Sequence, residues 1–459
     1  MLLLTDTGSY PTDQGQRTQT MNPTRHQSLF FILTGIFFLQ LALIVCSSDF
    51  YGGADNISHF RIARYAWKYP PLFLDLWGKP VYTTLLFPFA LFGIQAARIF
   101  SVLAGLAAIF FTIRAMRAMG EKDHLLTVVF IAFSPVYFLL MQSCLTEVLF
   151  SLVLMLSFWL FFEEKYGRAA LVLSFLPFVR LEGFVLFPLF AAALVLTRQY
   201  RALPLLAAGS LFYTIAGYPH FRDWLWIIHH WPYAMDASIC GSGSPLHFVR
   251  QSPGIFGVPF LVFLIIGLIA WTVKVLRKPA WTEKAFLSWF LVAGSFLLFF
   301  AAHSYVWWKG IGGSLGLIRV IAGVVPLAAI IATLGFREIA SRMQNRRTPS
   351  VLVAAVLAMQ IAIPFILHDV PVRLDRPALL MRDASKYLAS LNSPAKIHYF
   401  DPYLIHFLNM DPFDTTLSAC GVKDRKQPSK KMGPNDVLVW DAHFGPNEGG
   451  VSLENVMRD

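Results

Sequence analysis

Asp55 is the one acid in a stretch that otherwise supplies cations. Residues 50–71, FYGGADNISHFRIARYAWKYPP, carry it just ahead of His59, Arg61, Arg64 and Lys68. A carboxylate can accept the proton of an attacking hydroxyl, and arginine or lysine can stabilise charge growing on a departing phosphate. Lys79 follows in WGKP. Three further segments place ionisable groups in apolar sequence: Glu147 in QSCLTEVLF, Arg180 and Glu182 in FLPFVRLEGFVLFP, and His303, Lys309 and Arg319 in HSYVWWKGIGGSLGLIRV. Such groups are costly in a membrane and mark either a functional site or a satisfied pair. An acid, several cations and an apolar surround suit a reaction on a lipid-linked phosphate, its tail left in the bilayer.

Each group also has a structural reading. On a helix Arg61, Arg64 and Lys68 fall on one narrow stripe, with Phe60, Ala63 and Trp67 on another face. That is the pattern of an interfacial helix whose cations reach lipid headgroups. Arg180 and Glu182 can pair with one another or with Glu147. His229 and His230, in an aromatic loop, suit a membrane interface; Trp67, Trp77 and Trp307 suit it as well as they suit a sugar face. Asp55, after Gly52-Gly53-Ala54, can N-cap a helix opening at DNISHF.

The elements that must hold these residues are read from the apolar pattern. The 459-residue chain is 56% hydrophobic and only 14% charged, where soluble domains are about a quarter charged. Residues 28–47 form an uncharged run long enough to cross a bilayer. Further runs at 95–116, 124–142, 146–162, 169–179, 183–197, 203–218, 254–273, 285–302, 315–335 and 350–367 bring the expected crossings to about eleven, two of them short. Basic residues gather in alternate loops: Arg17 and Arg25, Arg114 to Lys122, Lys165 and Arg168, Arg198 and Arg201, Lys274 to Lys284, and Arg337 to Arg347. The positive-inside rule makes those loops cytoplasmic.

The predicted fold is an all-α polytopic membrane protein with a small α/β appendage. Residues 1–27 read as a disordered cytoplasmic N-terminus. Residues 28–368 form the transmembrane domain, with a first outer loop at 48–95 that carries Asp55. Residues 369–459 form a soluble domain on the extracytoplasmic face. In it RPALLMRDASKYLASL reads as a helix, KIHYF and DVLVWD as strands. The first apolar run reads as a retained span rather than a cleaved signal.

Several classes drop out. The net charge of +11 lies largely in short loops between apolar runs, not in a basic tract interleaved with aromatics, so no nucleic-acid partner is expected. Cys46, Cys144, Cys240 and Cys420 have no spacing that reads as a disulfide framework or a zinc site. No D-x-D occurs, and the nearest approach, EKD at 121–123, falls in a cytoplasmic loop. Neither a divalent metal nor another cofactor is expected, since a hard cation on a diphosphate wants paired carboxylates.

The ordered set GGADNISHF, WGKPVYTTLLFPFALFG, QAARIFSVLAGL, SPVYFLLMQSCLTEVLF, PFVRLEGF and GSLGLIRVIAGVVP resembles the GT-C superfamily of polytopic glycosyltransferases. Within it the chain looks most like the bacterial branch of protein-mannosyltransferase-like and lipid-A-sugar-transferase-like enzymes. The resemblance implies an inverting transfer from a polyprenyl-phosphate sugar, mannose by default, to a hydroxyl of a glycan, lipid or protein. The enzyme would sit in a bacterial inner membrane. It casts Asp55 as the base and Arg180 with Glu182 as the R-x-E-G element. His59, Arg61, Arg64, Lys79, Glu147, His303, Lys309 and Arg319 are the remaining candidate substrate contacts. Many members carry paired acids in the first loop; here Asn56 follows Asp55. A transporter or flippase is the rival reading, but no internal repeat is visible and the polar groups gather at one edge. A glycan ligase or polymerase on the same carriers differs only in donor and acceptor.

Overall fold

The computed structural model describes residues 23–121, 125–233, 240–277, 284–343, 347–391 and 396–459. Residues 1–22 of the expected disordered segment lie outside these, as do Lys122, Lys278 and Arg346 of the basic loops. The first helix, α1 (Pro23–Cys46), begins within the stretch expected to lack structure. At about 1.5 Å per residue its 24 residues exceed a hydrocarbon core of about 30 Å.

From α1 the chain enters a loop holding α2 (Ala54–Tyr65) and α3 (Pro80–Ala90), then α4 (Ile94–Ala118). Next come α5 (Leu125–Ala132), α6 (Pro135–Leu140), α7 (Glu147–Phe162) and α8 (Tyr166–Ser174). These lead to α9 (Phe187–Leu196), α10 (Ala208–Phe221) and α11 (Trp226–His229). The body closes with α12 (His247–Phe256), α13 (Val258–Arg277), α14 (Lys284–Lys309), α15 (Val325–Ala340) and α16 (Arg347–Leu367). Among the described residues seven helices are long and apolar enough to span a membrane, and four shorter apolar helices accompany them. The chain is an integral membrane protein.

Two packing devices fix this body. Helices α13 and α15 lie with their backbones in contact: a Cβ on Gly267 would stand 2.0 Å from the Ile331 carbonyl, and one on Gly335 would stand 2.1 Å from that of Phe263. Without a hydrophobic drive between helices in lipid, such small-residue seams supply the close contact. The second device repairs a break. Residues 124–142, expected as one run, divide at Ser134 (φ −63°, ψ 125°), because Pro135 has no N–H to give and pushes its predecessor out of the helical region. Gln360 of α16, fully buried, donates to the freed carbonyl of Phe133 at 2.9 Å and to that of Phe256 at 2.8 Å. Its own carbonyl accepts from Phe260 N at 3.3 Å, and Ser134 Oγ donates to Ile255 O at 2.6 Å. Broken backbone inside a membrane body survives only when so partnered.

The C-terminal segment forms α17 (Arg376–Ser390), β1 (Ile397–Tyr399), α18 (Pro402–Phe407), β2 (Ser418–Cys420) and β3 (Val437–Val439). Asp375 caps α17 through the amide of Ala378, 2.9 Å away. The expected helix and both expected strands are present. The strands form one parallel sheet in the order β2-β1-β3, with Ile397 opposite Ser418 on one side and Val437 on the other.

Candidate active site

The site begins where α1 runs out. Gly52 and Gly53 both adopt positive φ (97° and 61°), open to glycine at little cost. A Cβ on Gly52 would also meet Arg319 Nη1 at 2.7 Å. Gly53 is the N-cap of α2 and no side chain caps it, so Asp55 stands in the first turn rather than at the cap. The capping role considered for Asp55 is therefore not the one it plays. An acid there is favoured by the helix dipole.

Asp55 Oδ2 accepts from Arg319 Nη2, and Arg319 Nη1 donates to Gly52 O at 3.2 Å. Arg319 Nε lies 3.6 Å from Glu147 Oε1, the same oxygen that Arg180 Nη1 reaches at 2.7 Å. Arg180 Nη2 then pairs with Glu182 Oε1 at 2.8 Å, and its Nη1 donates to Thr146 Oγ1 at 3.0 Å. Five charges thus alternate from Asp55 through Arg319, Glu147 and Arg180 to Glu182. Both pairings considered for Arg180 occur together. Gly183 permits the tight turn that presents this arginine and Glu182, since a Cβ there would be 2.9 Å from the backbone of Leu176 and Pro177.

Exposure separates the members. The Glu147 side chain is 1% exposed and that of Asp55 is 42% exposed. Among the described residues Asp55 Oδ1 accepts no hydrogen bond, so the reachable acid also has a free oxygen. Asn56, where a second acid was absent, is fully buried. Its Oδ1 accepts from Cys144 N at 2.7 Å and its Nδ2 donates to Tyr51 O and Gly53 O, both at 3.0 Å. It ties the start of α2 to the α6–α7 turn.

Lys79 and His59 complete the buried side. Lys79 is 3% exposed and donates to Leu76 O and Trp77 O, each 3.1 Å away, and to Tyr233 Oη at 2.5 Å. Burial is the main force pushing its ammonium down to about 8; nearby Arg180 adds to the drop, and Glu182, Asp75 and Glu147 oppose it. His59 stacks on Trp77 with ring centroids 4.7 Å apart. Burial first, then Lys79, Arg319 and Arg180, hold it well below the ordinary histidine value, so it is neutral. His59 Nδ1, Glu147 Oε2, Glu182 Oε2 and His303 Nε2 are buried without a hydrogen-bond partner.

Most other expected contacts lie elsewhere. Arg61 faces the C-terminal segment: only 4% exposed, it donates to Met410 O at 2.6 Å, Ile405 O at 3.0 Å and His406 O at 3.3 Å. Lys68 pairs with Asp411 at 2.9 Å. Arg64 lies over the Phe60 ring, and exposed Lys309 over that of Trp308 at 3.9 Å. His303 packs on Phe299 at 4.6 Å and stays within the site, close to Glu182 and Arg180. Exposed His229 pairs with Asp223 at 2.6 Å. Among the described residues no three His, Cys, Asp or Glu side chains gather as a metal-ligand set. Asn56, Thr146 and Tyr233 were missed; only Tyr233, in an aromatic loop, carried any signal.

The fold of this chain, a helical membrane body with a small α/β appendage, has counterparts among solved structures. Among solved structures it is similar to ArnT from Cupriavidus metallidurans bound to undecaprenyl phosphate, with a TM-score of 0.58 and 13% identity, over 85% of this chain and 86% of that one. The apo form of the same ArnT gives 0.58 and 14%, over 84% of each chain. No protein-family model and no curated protein sequence matches the chain.

Proposed function

We propose that this protein is a membrane glycosyltransferase that moves a sugar from a polyprenyl-phosphate donor to an acceptor hydroxyl at the extracytoplasmic face, without a metal. The observation that carries the reading is Asp55: one accessible carboxylate with a free oxygen, the most exposed member of the ion-pair chain. The ArnT crystallised with undecaprenyl phosphate supports a lipid-phosphate donor on this fold. Arg319 holds Asp55 Oδ2, orienting Oδ1 toward the acceptor. Oδ1 takes the hydroxyl proton as the acceptor oxygen attacks the anomeric carbon. The carbon–phosphate-oxygen bond breaks on the opposite face, the anomeric centre inverts, and polyprenyl phosphate leaves. Lys79 is the cation assigned to that phosphate, and preorganised charge at a departing oxyanion is a large part of such catalysis.

Asp55→Asn tests this. It keeps size and polarity but cannot take up a proton at neutral pH, so turnover should fall about a hundredfold to ten-thousandfold. Affinity for undecaprenyl phosphate should largely survive, because phosphate binding rests on the cations. Near-parent turnover by folded Asp55→Asn would remove Asp55 from the base role.

A further inference from the structure

Helix α2 has two working faces. At 100° per residue Asp55 and His59 share one side, while Ile57, Arg61 and Arg64 lie on the other. The first faces Arg319 and Trp77. The second is covered by the C-terminal segment: Ile57 and Phe50 join an apolar cluster with Met381, Ile397, Tyr399 and Leu404.

The polar contacts across this junction grip one short helix at both ends. Tyr403, in the first turn of α18, donates its hydroxyl to Asp49 Oδ1 at 2.7 Å, just before α2. At the other end Arg61 gathers the carbonyls of Ile405, His406 and Met410. An arginine there also meets the negative end of the helix dipole. Asp411, directly after, holds Lys68 at 2.9 Å and Tyr69 at 3.2 Å. Contacts therefore bracket Asp55 on both sides along the chain.

We infer that the C-terminal domain is a working part of the active site: α18 clamps α2, and Arg61 is a positioning residue that fixes Asp55 against Arg319. This rests on the reading of Asp55 as the base. Arg61 touches no substrate, so its loss lowers the rate and leaves lipid-phosphate binding in place.

The test compares Arg61→Ala with the parent in lipid nanodiscs, by turnover of lipid-linked sugar, affinity for undecaprenyl phosphate, and backbone hydrogen exchange over 54–65 and 402–410. Turnover should fall about tenfold or more, since small misplacements of a reacting group are expensive in rate. Affinity should stay within about twofold, and exchange should quicken in both segments. Arg61→Lys, still a donor to carbonyls, should restore part of the rate. Weakened affinity with turnover kept would make Arg61 a phosphate ligand and overturn the clamp. Faster exchange at 402–410 with 54–65 unchanged would overturn it too. If Arg61→Ala does not fold, Tyr403→Phe tests the other grip, and unaltered turnover and exchange there would also discard the clamp. Exchange needs no substrate. Coupled exchange in a protein whose Asp55→Asn variant still turns over would keep the clamp and reject the base.

Discussion

Lys79 is held in a left-handed backbone conformation, φ 64°, that few non-glycine residues adopt. The strain aims a long cation inward beside Arg180 and Glu182, where burial brings its ammonium down to about 8. A phosphate prefers the charged lysine, so binding favours proton uptake and must weaken as pH rises through that value. Affinity for undecaprenyl phosphate should therefore drop between about pH 7 and pH 9, well short of the ordinary lysine value of about 10.4. Lys79→Arg keeps its charge at every working pH and should flatten the profile. A parent protein whose affinity is level across that range would remove Lys79 from phosphate binding. No sequence pattern announced this backbone; Lys79 was legible only as a cation beside an apolar run.

At the scale of elements, the seam between α13 and α15 makes a prediction of opposite signs. Alanine in place of glycine inside a helix gains about 0.5–1 kcal/mol from propensity. Gly35 in α1 has nothing within 4 Å of its would-be Cβ, so Gly35→Ala should leave the melting temperature in detergent level or raised. Gly267→Ala puts a methyl 2.0 Å from the Ile331 carbonyl and must spread the pair, at about 1–3 kcal/mol for overpacking. Equal melting temperatures for the two variants would mean the backbones are not in contact. Most helices were legible from their apolar runs. The break at Ser134 had a signal in Pro135 that a hydropathy reading averages away. β2 (Ser418–Cys420, SAC) lacked one, being three residues with weak strand preference.

At the scale of the whole molecule, the proposed orientation places α2 and the C-terminal domain together outside the cytoplasm. Cysteines introduced at Ser58 and Ser452 should then react alike with an impermeant thiol reagent in whole cells, the outer membrane permeabilised. The background must lack Cys46 and Cys420, which are exposed; Cys144 and Cys240 are buried. Protection of either position until lysis would overturn the orientation. The acid was legible because a glycine pair and a carboxylate directly follow a span. The role of Arg61 was not, because its partners are backbone carbonyls 344 to 349 positions away, which leave no side-chain signature.

That separation has a consequence for the nascent chain. Residue 61 leaves the ribosome 349 positions ahead of Met410, which at roughly 5–20 residues per second is about 17 to 70 s of translation. Arg319 follows Asp55 by 264 positions, so α2 first lacks that arginine and then, to the end of the interval, still lacks the carbonyls that hold its far face. The loop carrying Asp55 is among the first parts synthesised and among the last assembled. Translation broken off before α18 would leave a polytopic chain inserted in the bilayer with its reactive loop unset.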